Sequence, residues 1–131
     1  MPTSPSKPIT VTLSLPPPEL NQNSRKHWRQ KSPIVAGYRK TAGLLMLPMR
    51  CKDWPWPKCR ADVRFSFPDN RRRDVSNFLG ALKPAWDGFE DAGMVVDDRD
   101  IWFGKVYGVV EKGVAQVEIT LRLEWPPEEN K

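Results

Sequence analysis

Histidine is almost missing from this chain: His27 is the only one, which excludes a histidine-rich metal site. Cysteine is nearly as scarce. Cys51 and Cys59 stand eight positions apart, a separation that fits no zinc-binding pattern. Both are expected to be free thiols in a reducing compartment. No apolar run approaches the ~20 residues that a membrane helix needs. The first residues hold no apolar stretch behind a basic start, so no signal peptide is expected. No internal repeat is present. These absences point to a cytoplasmic protein that works without a membrane.

What is present suits one globular domain. The chain has 131 residues, 39% of them apolar and 28% charged, enough for a single buried core. The domain is expected to span 1–131, with 1–7 and 126–131 flexible. Net charge is +5, and the excess is uneven. Arg25, Lys26, Arg29 and Lys31 form one basic cluster, and Arg71, Arg72 and Arg73 another. Such clusters favour a polyanion by releasing its counterions. They also suit a solvated surface with no partner.

Hydrophobic periodicity predicts the elements. Residues 9–15 alternate with Ile9, Val11, Leu13 and Leu15 on one face, a half-buried strand stopped by Pro16, Pro17 and Pro18. Residues 19–31 read as a polar, basic loop. A helix should follow, with Pro33 in its first turn, Ile34, Tyr38, Ala42, Leu45 and Met49 on its core face, and Pro48 limiting its end. The segment 51–59 is an extended connection whose Trp54 and Trp56 could stack on bases but more often cover a core edge. Ala61, Val63, Phe65 and Phe67 mark a second strand. Over 74–92 a short helix is expected from about Ser76. A longer one should start near Lys83 or Pro84, burying Leu82, Trp86 and Phe89 and ending at Gly93. Strands over 101–110 and 114–125, joined at Lys112-Gly113, read as a hairpin. The order β-α-β-α-β-β implies an α+β fold, a small mixed four-stranded sheet with helices packed against it.

Chemistry concentrates between residues 71 and 98. Carboxylates alone repel a phosphodiester, and arginines alone bind one without cutting it. With a divalent cation between them the two can do both. Asp74 follows the arginine run, and Asp97 and Asp98 lie beyond the helices. If folding gathers these three acids, they could share Mg2+, with Mn2+ as a substitute, and so polarise a phosphate. Taken singly, Asp74 also suits a helix N-cap, Asp97-Asp98 a surface turn and Lys83 a solvated helix lysine.

Asp74, Asn77, Lys83, Asp87, Ala92-Gly93 and Asp97-Asp98, with the upstream run from Asn23 to Trp28, resemble the RusA-type Holliday junction resolvases over roughly residues 9–124. The resemblance implies a magnesium-dependent endodeoxyribonuclease of prokaryotic or phage origin. It implies a homodimer that cuts four-way junctions by paired nicks in recombination and repair, without a small-molecule cofactor. It also implies that Asp74, Lys83 and Asp98 are catalytic, that Asp74, Asp97 and Asp98 hold the metal, and that Asn77 and Asp87 support them. Ser76 stands where the family has a second aspartate, and Lys83 lies nine residues after Asp74, beyond the family's usual spacing. Arg71, Arg72, Arg73, Arg25, Lys26 and Arg29 would hold DNA phosphates. Two other readings are a non-catalytic branched-DNA-binding protein of the same fold and a broader flap or branched-DNA nuclease.

Overall fold

Strict alternation makes the strands. In β1 (Ile9–Ser14) the odd residues Ile9, Val11 and Leu13 are buried. In β2 (Cys59–Phe67) the buried row is Cys59, Ala61, Val63, Phe65 and Phe67, and in β4 (Gln116–Leu123) it is Val117, Ile119 and Leu121. These rows form one apolar sheet face, which the helices cover. The computed structural model describes residues 7–20 and 28–127.

The sheet order is β1-β4-β2-β3, where β3 is Ile101–Val110. β4 pairs antiparallel with both β1 and β2, and β3 pairs parallel with β2. The expected hairpin is therefore corrected: β3 and β4 are consecutive but not adjacent, and β2 lies between them. The expected turn exists, with Val114 N donating to Glu111 O at 2.9 Å. It is fastened across the end of β2, however, by Glu111 N to Phe67 O at 2.8 Å and Gly113 N to Pro68 O at 3.3 Å. The two helices between β2 and β3 form the crossover that a parallel pair requires. The short 111–115 link then needs to span only two strand widths, roughly 10 Å.

Helix α1 is Trp28–Met46, and it starts before the expected point, in what reads as loop. Pro33 therefore lies inside the helix rather than in its first turn. The helix loses one backbone bond there, close to an end where donors are already unpaired. Tyr38, Ala42 and Met46 are its buried stripe, while Leu45 and Met49, expected in the core, are 39% and 42% exposed. The stripe steps by four residues, so Leu45 falls beside it and Met49 lies past the helix end, and α1 crosses α3 (Lys83–Asp91) at a glycine contact. A Cβ on Gly88 would lie 2.3 Å from Arg39 O and 2.9 Å from Gly43 N. Leu47–Met49, containing Pro48, forms a closing 3-10 turn.

The expected break in the middle helices is present. α2 is Val75–Gly80, and α3 begins at Lys83 with Pro84 in its first turn, where a missing N–H costs nothing. Leu82, Trp86 and Phe89 are buried, and Gly93 at φ +94° reverses the chain after α3. Trp56 is fully buried and Trp54 packs against it edge to face at 6.3 Å, so the tryptophans cover core rather than offering a stacking surface. Among the described residues, no helix is long and apolar enough to cross a membrane.

Candidate active site

One face of α3 presents Lys83, Asp87 and Glu90, spaced by four and three residues so that their side chains line up. After Gly93, the buried Met94 and Val95 pin the chain against the core. The next residues run back along α3 and bring Asp97 and Asp98 to that face. Asp98 N donates to Glu90 Oε1 at 3.0 Å. Lys83 Nζ donates to Asp87 Oδ1 at 2.8 Å and to Asp98 Oδ2. Asp97 Oδ1 accepts from Arg99 N at 2.9 Å, capping the 3-10 turn Asp98–Asp100 that leads into β3. As a result, carboxylate oxygens of Glu90, Asp97 and Asp98 all lie within 4.8 Å of one another.

Two of the three acids expected to share a cation thus converge, and the third does not join them. Asp74 stands outside this group. It is exposed and is the N-cap of α2, with Oδ1 accepting from Ser76 N at 2.9 Å. Its place is taken by Glu90, which the sequence reading missed. The available signal was its position three residues after Asp87, on the same helix face as Lys83 and Asp87. Asn77 sits in α2 and accepts the Ala81 N–H at its backbone carbonyl. Asp87 accepts from Lys83 on the same helix face.

The arginines divide. Arg71 and Arg72 are exposed. Arg73 is not available to a phosphate: its side chain is only 14% exposed. It donates to Asp69 O at 2.9 Å, Arg71 O at 3.0 Å and Asp69 Oδ1 at 2.8 Å. Its guanidinium also covers the Phe67 ring at 4.7 Å. Arg73 therefore braces the 68–74 loop. Arg29 is exposed on α1, and Arg25 and Lys26 lie outside the described residues.

Hydrogen bonds to Asp87 and then Asp98 hold the Lys83 ammonium above the usual lysine range. These bonds favour its charged form. The Arg99 backbone N–H holds Asp97 below the usual carboxylate range. Among the described residues, Lys83 and Arg99 are the ion-pair partners of Asp87, Asp97 and Asp98, and Arg39 also acts on Asp87 and Glu90, so with Glu90 the four acids outnumber the nearby cations and the local charge is negative. A phosphate would be repelled from this spot until a cation joined it. The oxygen donors fit such a cation: each of the three carboxylates is hard, and one oxygen of each is free of the backbone bonds above.

Next to these groups opens a cleft of about 450 Å³, lined by Ser76, Leu79, Gly80, Lys83, Trp86, Asp98, Ile101 and Phe103. It joins the α2 end, the α3 face, the turn at Asp98 and the start of β3. No protein-family model matches this chain, and no curated protein matches it.

Proposed function

We propose that the protein is a metal-dependent endodeoxyribonuclease that resolves four-way DNA junctions by paired nicks, as the resemblance to RusA-type resolvases implies. The observation that carries this reading is the meeting of Lys83 with Asp98, fifteen residues away, beside two further carboxylates at an open cleft. Glu90, Asp97 and Asp98 would hold Mg2+ or Mn2+, and the bound ion would polarise a phosphate and supply an activated water. Lys83, oriented by Asp87 and Asp98, stabilises negative charge on the phosphate oxygens in the transition state. Arg71 and Arg72, exposed near the start of α2, bind neighbouring phosphates and set the strand's position. A four-way junction has two-fold symmetry and paired cuts need two sites, so the working unit is a homodimer. This activity belongs in the cytoplasm of a prokaryote, on cellular or phage DNA.

A second reading is a non-catalytic branched-DNA-binding protein. It is favoured by Asp74, which spends its carboxylate on capping α2, and by Ser76, which brings a neutral hydroxyl to the cleft. The two readings separate on a four-way junction incubated with Mg2+ or Mn2+. The nuclease produces symmetric nicks, and Asp98→Asn lowers the rate by at least about 100-fold with junction binding retained, since groups that merely support metal ligands already reach that value. Binding without nicks in either metal sinks the enzyme. Equal cutting of junction, flap and linear duplex replaces junction resolution with a broader nuclease.

A further inference from the structure

The cleft pairs two unlike chemistries. Ser76, Lys83 and Asp98 are polar, whereas Leu79, Trp86, Ile101 and Phe103 are apolar. Phe103 is 42% exposed and lines the cleft. It cannot fold inward, because its ring already packs on Trp86 at 5.5 Å, and Trp86 packs on Phe89 at 5.6 Å. Trp86 and Phe89 are buried, so a supported aromatic ring is held open to solvent only five residues beyond Asp98.

The mixture of groups narrows the occupant. The cleft, about 450 Å³, has room for one flat aromatic ring with its sugar, and a base can stack on a protein ring only where its own face is free of a neighbouring base. A purely apolar ligand would gain nothing from Lys83 and Asp98. A nucleotide uses both parts, its base on the ring and its phosphate at the charged end. We infer that this cleft receives one unpaired nucleobase, stacked on Phe103, next to the phosphate positioned by Lys83. The inference rests on the nuclease reading and deepens it: the substrate is DNA with an unstacked nucleotide at a branch, not continuous duplex. Stacking reads only the face of a base, so the pocket tolerates all four.

The test uses a duplex with a single unpaired 2-aminopurine and the matching perfect duplex, in Ca2+ so that binding is read without cutting. The expected result is quenching of the 2-aminopurine on binding and a preference for the unpaired substrate. Phe103→Ala should remove the quenching and lower that preference by about 5- to 150-fold, the loss expected for one base–aromatic stack. Phe103→Trp should retain both, which controls for packing. Tyr107→Ala, an exposed aromatic on the same strand but outside this cleft, should change neither. The inference is overturned if Phe103→Ala leaves quenching and preference intact, or weakens both duplexes equally. It is also overturned if that variant alters only the sedimentation of the protein, which would assign the ring to a subunit contact. Failure of the nuclease reading looks different: the wild type would then quench the unpaired base but leave junctions uncut in Mg2+.

Discussion

Arg73 and Lys83 are both cations beside carboxylates, and their surroundings give them opposite uses. Arg73 has three hydrogen bonds and a ring contact, with its side chain 14% exposed. The Lys83 side chain is 62% exposed at a cleft mouth. Replacing Arg73 by Ala should therefore cost about 1.5–3 kcal/mol of stability, the range for hydrogen bonds that involve a charge. It should leave DNA affinity little changed wherever the protein stays folded. Arg72→Ala should do the reverse, with an unchanged melting temperature but weaker DNA binding and a salt slope lower by about 1. Melting curves and binding isotherms at several salt concentrations check both. In the run Arg71-Arg72-Arg73 the three residues look alike. Only the return of Arg73 onto Asp69 and Phe67, set by the loop after β2, separates it from its neighbours.

At the scale of elements, the site depends on how α3 is held. Gly88 faces α1 so closely that its hydrogen cannot be replaced without moving backbone: the added Cβ would sit 2.3 Å from Arg39 O and 2.9 Å from Ala42 Cβ. Gly88→Ala should destabilise the protein by about 3 kcal/mol, at the upper end of overpacking costs, and calorimetry would measure it. An unchanged melting temperature would mean that the two helices are not so tightly joined. Because α3 also carries Lys83, Asp87 and Glu90, the same change should disturb the acid cluster. On the other side, β3 is aligned with β2 through an irregularity between Ala61 and Val63. There Asp62 Oδ1 accepts the Lys105 N–H at 2.8 Å and the Arg60 Nε–H at 3.1 Å. This pairing fixes β3 beside β2, and with it the position of Phe103 at the cleft.

For the molecule as a whole, charge is segregated. Residues 20–52 carry eight cations and no acid, so the rest of the chain has thirteen cations against sixteen acids. In the nuclease reading, the basic segment around α1 would attract the DNA while the acid cluster beside the cleft would hold the metal. The paired carboxylates also set the acid limit of the fold. The Arg71 N–H and then the Arg73 side chain hold Asp69 below the usual carboxylate range, and the Arg39 hydrogen bond does the same for Asp91. A carboxylate depressed in the folded state stabilises it above the unfolded pKa and loses that contribution as pH falls through the folded value. The melting temperature should therefore be flat from neutral pH to about 5 and fall below about 4. Asp91→Asn, which removes one such group, should make the acid fall shallower in melts recorded across that range.

Local patterns were enough for the strand faces, the helix break before Pro84 and the reversal at Gly93, whereas Lys83, Asp87 and Asp98 were grouped only through the family resemblance. The first three follow from side-chain period, a missing N–H or a glycine at a helix end, all properties of neighbouring residues. Tertiary structure alone decided three other matters. It placed β2 between β3 and β4, because a crossover through two helices returned β3 parallel to β2. It admitted Glu90 and left out Asp74, because the chain after Gly93 runs back along α3 while Asp74 caps α2. It also withdrew Arg73 from the surface. These outcomes depend on which distant segments pack together, a competition for burial and hydrogen bonds that no short stretch of sequence contains.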